Sequence, residues 1–334
     1  MSESHDPAAD DLERILPVLA RKTDCDDWRT FEPSRARRDC SIHFLSSARH
    51  RIPRLVVKTY KRDETRENMA RNIHQRGVKF HEVATPDFGV PEPLFLMPSH
   101  NAVAMEYVDA PTLGARLLRS MASKSAKREL IGRAAGWLAW FYRRGQIRPE
   151  PFVPTKFGLK IDRLHGALEC SAPGSLASDG FLRDCLALSS RLAADLEGRV
   201  IPHAPAHGDF TPFNLFAAGK RTIGFDFGAV RILPIHHDIS RFLMYLGIYR
   251  PLPPRTADLA EFGCAADDLE MFLSVFSPVE RLDVDVWRRM QFIEITRRLL
   301  ALKPLRGNLW KQGLRSVQAG RLRRSARCLM RTLA

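Results

Sequence analysis

The chain has 334 residues, of which 45% are hydrophobic and 27% charged. That length and balance suit two lobes with a sizeable core and exclude a wholly disordered chain, a collagen and a small disulfide scaffold. Fifty-two Lys and Arg against 38 Asp and Glu leave a net charge of +14, which favours anionic partners: phosphorylated substrates, nucleic acid or an anionic membrane surface.

Along the chain, residues 1–12 are polar and are expected to fray. Trp28 to Tyr107 reads as strands with one helical interruption. Ser41 to Ser46 and the β-branched run Arg54 to Tyr60 are its first strands. Asp63 to about Val83 reads as a helix capped near Asp63, Val90 to Pro93 as an extended breaker, and Ala102 to Val108 as a further strand. Beyond Pro111 the pattern turns helical. Thr112 caps a run to Met121, and Ala126 to Arg144 shows a helical apolar stripe; Phe181 to Leu196 is similar. A β-rich island spans Val200 to Val230. Helices then follow at Ile235–Tyr249, at Thr256–Phe276 with a break near Gly263, and at Val284–Leu302.

The predicted fold class is α+β with two lobes, a β-rich one and a mainly helical one. The expected divisions are 1–108, 109–304 around the β island, and a basic helix over 305–334. That last segment holds eight Lys or Arg and no acid. It reads as a helix docked by its apolar residues, with a basic face that can meet anionic membrane or glycolipid. The six cysteines, at 25, 40, 170, 185, 264 and 328, form no CxxC pair. That fits a reducing compartment and no metal–thiolate site. Met1 to Pro7 lacks the basic-then-apolar order of a signal peptide, and apolar runs are shorter than a membrane span. A cytoplasmic location is expected, with peripheral contact at the inner membrane face as its extension.

The chemistry is concentrated in His207-Gly-Asp-Phe-Thr-Pro-Phe-Asn214 and Ile223-Gly-Phe-Asp-Phe-Gly228. A loop carboxylate, Asp209, precedes a carboxamide, Asn214, and a hairpin arm delivers a second carboxylate, Asp226. The oxygens of Asn214 and Asp226 suit Mg²⁺, which takes hard oxygen donors and leaves room for phosphate. Asp209 remains to orient a hydroxyl and accept its proton. Phosphoryl transfer needs little beyond such positioning and charge neutralisation.

These motifs resemble the protein-kinase-like superfamily, specifically its aminoglycoside phosphotransferase and choline kinase branch. The family's catalytic loop, His-Gly-Asp, four residues, Asn, matches His207, Gly208, Asp209 and Asn214, and its metal Asp matches Asp226. Pro234 and Asp238 match a Pro-then-Asp helix start. Lys58 matches the phosphate-anchoring lysine. Met105 to Leu113 looks like the segment that takes adenine, with Glu106 and Val108 as its contacts. The resemblance covers about residues 28 to 300 and implies a two-lobed kinase-like fold using ATP and Mg²⁺. Two features depart from the pattern. The expected phosphate-covering loop, Glu32 to Asp39, has no glycine, so Ser34 or backbone amides are the candidates there. The family's helix glutamate has only Glu67 and Glu82 as candidates, both off its spacing.

His207 reads as a loop anchor rather than a base, Asp238 as a helix cap or loop support, and His236 and His237 as surface residues. Only eleven residues separate Asp226 from Asp238, too few for the activation segment of a protein kinase. An ATP-dependent kinase of a small-molecule or glycan hydroxyl is therefore favoured: a sugar, a lipid-linked sugar or a cell-envelope saccharide. The alternative is a non-catalytic kinase-fold module that binds a nucleotide or ligand. Specific nucleic-acid binding would rest on charge alone, with no aromatic platform beside it.

Overall fold

The computed structural model describes residues 7–37, 39–61, 68–120, 123–155, 180–227, 231–250, 252–276, 283–302 and 309–333. The chain divides into two units: residues 1–111 with 216–230, and residues 112–215 with 231–334. The second half of the predicted β island thus belongs to the first unit.

The first unit is built on a five-stranded antiparallel sheet. Its strands are β1 (Arg29–Ala36), β2 (Cys40–Ser46), β3 (Arg54–Tyr60), β5 (Pro93–Met97) and β6 (Ala102–Glu106), in the order β1-β2-β3-β6-β5. Strand alternation sorts the side chains onto two faces. Leu55, Val57, Ala102 and Ala104 face one way, onto Ile15 and Leu19 of helix α1 (Pro7–Thr23). Tyr60 and Val103 face the other way, with Ala70 and Ile73 of helix α2 (Met69–Glu82) packed against them. Lys58, one step in register from Tyr60, lies on this second face.

Helix α1 corrects the expectation of fraying for its described residues. Leu12, Ile15, Leu16 and Leu19 recur at helical spacing, and burying them against the sheet offsets the ordering cost. Helix α2 begins at Met69, and the stretch that held the expected Asp63 cap lies outside the described residues. The side chain of its N-cap, Asn68, makes no cap bond. Asn101 serves instead, accepting from the Ala70 N–H at 3.1 Å and donating to the Tyr60 carbonyl at 3.3 Å. The predicted breaker at Val90–Pro93 is flanked by two strands. The two-residue β4 (Phe88–Gly89) pairs parallel with β10 (Arg221–Gly224), and β5 begins at Pro93 itself. Pro33 and Pro93 both sit on edge strands, where a missing N–H costs little.

The second unit is mainly helical. Thr112 caps α3 (Leu113–Arg119), its hydroxyl accepting from Ala115 N–H at 3.2 Å. Met121, the expected end of that run, lies outside the described residues. Helix α4 (Lys124–Gly145) follows, then α5 (Gly180–Ala194), α6 (His236–Tyr249), α7 (Thr256–Phe262), α8 (Ala266–Leu273), α9 (Val284–Ala301) and α10 (Leu309–Leu333). The predicted break at Gly263 is real: its φ is +65°, and an added Cβ would stand 2.9 Å from Leu329 and 3.2 Å from Gln291. Leu182, Leu186, Met244, Phe292, Ile295, Leu322, Ala326 and Leu329 form one core shared by α5, α6, α9 and α10. A small sheet, β7 (Arg148–Pro151), β8 (Val200–Pro205) and β11 (Ile232–Pro234), in the order β11-β8-β7, leads into the loop at 206–214. Among the described residues no helix is long and apolar enough to cross a membrane.

Candidate active site

The predicted site residues separate into one group per unit. In the first unit, the Lys58 ammonium pairs with the Asp226 carboxylate across 168 positions of sequence. Burial disfavours the Lys58 charge, yet Tyr60 and Asp226 outweigh it and hold its pKa above the ordinary lysine value. The ammonium also lies 5.2 Å from the centre of the Tyr60 ring. Asp226 has φ +60°, a left-handed conformation uncommon outside glycine and characteristic of constrained functional loops. Phe225 and Phe227 on either side fix that turn, Phe225 stacked on Phe216 and Phe227 beside Phe80.

The expected glutamate partner of Lys58 takes no shape here. Glu82 is exposed at the end of α2, and Glu67 lies outside the described residues. The face that α2 turns to the sheet carries Ala70, Ile73 and Gly77 rather than a carboxylate. Ser34 is not in a loop. Residues 29–36 form β1, so Glu32 to Ala36 of the predicted covering loop are strand, and the Ser34 hydroxyl stands 2.9 Å from Nδ1 of the buried His43. Glu106 ends β6, its N–H donating to the Glu92 carbonyl at 2.9 Å and its carboxylate accepting from Glu92 N–H at 3.2 Å. Val108 is buried two residues on. A small cavity in this unit is lined by Ile73, Gly77, Met105 and the Phe225–Phe227 turn.

In the second unit the loop from His207 to Asn214 is held from below. Asp238, fully buried in the first turn of α6, accepts from the backbone N–H groups of His207 at 2.7 Å and Gly208 at 3.0 Å. It also accepts from the Tyr142 hydroxyl at 2.9 Å. Asp238 is thus the loop support, and no side chain caps α6. Gly208 has φ +83°, which only glycine adopts cheaply. His207 is an anchor, buried against the rings of Trp137, Phe141 and Phe210.

His236 and His237 are not surface residues: both are buried. His237 lies between Asp238, 3.1 Å from Nδ1, and Glu294 of α9, 3.2 Å from Nε2. Burial alone would keep His237 neutral, but Glu294 and Asp238 raise its pKa. Arg297 pairs with Glu294, and with His237 brings that carboxylate to about 2 against the effect of burial. His236, enclosed with no hydrogen-bond partner among the described residues, is pushed down to about 3 by burial. Sequence proximity gave no signal for this network, because Glu294 arrives from 57 residues away.

On the loop itself, the Asn214 amide donates to the Asp209 backbone carbonyl at 2.8 Å and to its carboxylate at 3.1 Å. That orients Asp209. The other oxygen of Asp209 pairs with Arg241 at 2.6 Å. Arg241 is one turn beyond Asp238 on α6, an i, i+3 spacing that was visible in the sequence but had no predicted role.

No protein-family model matches the chain, and no curated protein matches it. Solved structures match its fold. A glucosamine kinase in complex with glucosamine, ADP and inorganic phosphate matches with 14% identity over 97% of this chain and 83% of that one, with a TM-score of 0.58. The amicoumacin kinase hAmiN, in complex with AMP-PNP, Ca²⁺ and Ami, matches with 13% identity, 93% and 91% coverage and a TM-score of 0.57. A thermostable mutant of an aminoglycoside phosphotransferase, in a ternary complex with ADP and hygromycin B, gives 11% identity, 94% and 98% coverage and a TM-score of 0.54.

Proposed function

We propose that this chain, which has the protein-kinase-like fold of aminoglycoside phosphotransferase, choline kinase and glucosamine kinase structures, is an ATP-dependent kinase of a small-molecule or glycan hydroxyl. A sugar, a lipid-linked sugar or a cell-envelope saccharide is the favoured acceptor. The contact between Lys58 and Asp226 carries this reading. One was singled out for phosphate and the other for metal, and they meet within one unit. Asp209 is the acceptor-orienting base, held by Asn214. Lys58 is the phosphate lysine, with Ser34, Glu106 and Val108 on the nucleotide side. The residues that would hold a hard divalent cation are Asp226 in the first unit and Asn214 in the second, each offering an oxygen donor of the kind Mg²⁺ takes. Bound Mg²⁺ would neutralise phosphate charge there.

Asp209→Asn should lower turnover by about 10²–10⁴-fold while ATP binding changes little. Retention of more than roughly a tenth of wild-type turnover, with chemistry rate-limiting, would exclude the role. Asp226→Ala should abolish the thermal shift given by ATP with Mg²⁺; an unchanged shift counts against the metal assignment. The second reading, a non-catalytic binding module, is favoured by the lack of a carboxylate on the described face of α2 toward Lys58. It predicts a nucleotide shift with no phosphoryl transfer to any hydroxyl compound.

The partner reading extends to α10. Arg324, Arg327 and Arg331 are exposed on it, and Leu314 and Val317, one turn apart, are 48% and 52% exposed. Basic and apolar side chains presented together suit an anionic lipid or glycolipid surface.

A further inference from the structure

Two half-buried arginines near Asp209 carry N–H groups that no hydrogen bond among the described residues satisfies. Arg241 is only 20% exposed at its side chain and pairs with Asp209. Its Nε is buried with no hydrogen-bond partner among the described residues. Arg298 of α9 repeats the pattern: its Nε is buried and unpartnered, its guanidinium lies 5.1 Å from the centre of the Tyr245 ring, and no carboxylate among the described residues pairs with it. Tyr245 follows Arg241 by one turn of α6 and lies within electrostatic reach of Arg241, Arg298 and Asp209 together. Glu294 attracts Arg241 through space, but its ion pairs at contact distance are with Arg297 and His237, so it does not occupy the Arg241 N–H groups.

Half-buried guanidinium groups with unmatched N–H donors are costly unless an anion completes them. Arginine's planar fork matches carboxylate and phosphate oxygens in pairs. A cationic acceptor would be repelled at the same place. We propose that the acceptor is an anionic hydroxyl compound, a sugar acid or sugar phosphate, whose carboxylate or phosphate is received by Arg241 and Arg298 beside the hydroxyl that Asp209 orients. This rests on the kinase reading above and narrows its acceptor. Arg241 then has two carboxylate-like neighbours, Asp209 and the ligand, and fixes the distance between base and acceptor. Arg298 touches only the ligand's anionic group and is a specificity residue.

The test uses the full chain and hexoses in four matched forms: neutral, uronic acid, 6-phosphate and 2-amino. Binding is followed by calorimetry, and turnover by ADP release. The acidic forms should bind at least tenfold more tightly than the neutral form, and the amino form least. The better of the uronic acid and the phosphate identifies the anionic group. Arg298→Gln should weaken binding of the acidic form by about tenfold or more, the usual value of a hydrogen bond to a charged group. In turnover its KM should rise with kcat changed far less. Arg241→Lys, which keeps the charge but not the fork, should lose part of the same preference and guards against a misfolded Arg241→Gln. Equal or tighter binding of the neutral or amino form, no binding of either acidic form, or an Arg298→Gln variant that binds all four as the wild type does would each overturn the proposal. Binding of the acidic forms without ADP release, unchanged by Asp209→Asn, would retain the subsite and overturn the kinase reading instead.

Discussion

Asp238 and His237 show how one buried pair sets the geometry of a loop it does not belong to. Asp238 receives two backbone N–H groups and a tyrosine hydroxyl, and His237 balances its charge. The pair has a pH signature. Burial opposes the charged imidazole, but Glu294 and Asp238 raise its pKa above the ordinary value. A group raised on folding stabilises the fold fully below its unfolded pKa, about 6.5 for histidine, and loses that contribution as pH climbs through the folded value. Glu294, at about 2, keeps its charge across this window. Melting temperature should therefore fall more steeply in the wild type than in His237→Gln as pH rises above about 6.5, although the variant is less stable at the acid end. Parallel slopes would show that His237 does not titrate there. Of this network only Asp238 was legible in the sequence, as a cap or loop support. The adjacent histidines looked solvated because the acid that pairs with His237 and the arginine beside it come from another helix.

At the scale of elements, legibility followed the length and regularity of the pattern. Helices α4, α5, α6 and α9 carry apolar stripes of several turns, and strand β3 is a β-branched run; all appear within a few residues of their expected bounds. β4 has two residues and β7 is Arg-Pro-Glu-Pro, and both exist only because a partner strand pairs with them. Helix α1 was masked by its polar start and by Pro17, although its stripe was readable. Helix α10 packs Leu322, Ala326 and Leu329 into the core of the second unit, and several of its arginines face the protein. Arg321 donates to the carbonyl of Ile248 at 2.7 Å and to that of Arg250, at the C-terminal end of α6, where a cation also suits the helix dipole. Arg323 and Arg327 lie over Phe181. The membrane contact proposed above would then fall to Leu314, Val317 and the exposed Arg324 and Arg331, of which Arg324 also donates to the Thr256 hydroxyl at 3.1 Å. The double variants Leu314→Ser/Val317→Ser and Arg324→Gln/Arg331→Gln should each reduce sedimentation with anionic vesicles at low salt, each charge contributing roughly 1 kcal/mol. Sedimentation equal to wild type in both would leave α10 a purely structural helix.

Over the whole molecule, positive charge persists after pairing. One buried acid, Asp268, serves both Lys127 and Arg250. Ion pairing redistributes charge without changing its sum, so the net charge of +14 remains as a field that a diffusing anion meets before any specific contact. ATP is such an anion, and the acidic acceptor proposed above is another. Attraction of this kind acts on encounter and is screened over a Debye length, about 10 Å at 0.1 M salt. It leaves the bound complex less affected, because pairs out of solvent are screened weakly. Raising salt from about 50 mM to about 300 mM should thus lower kcat/KM for ATP and for an anionic acceptor by roughly three- to tenfold, with kcat nearly steady. A neutral hexose as acceptor, at saturating ATP, supplies the control and should show little change. If kcat/KM for all substrates is independent of salt, the charge surplus is directed away from both substrates and belongs to the surface of α10 instead.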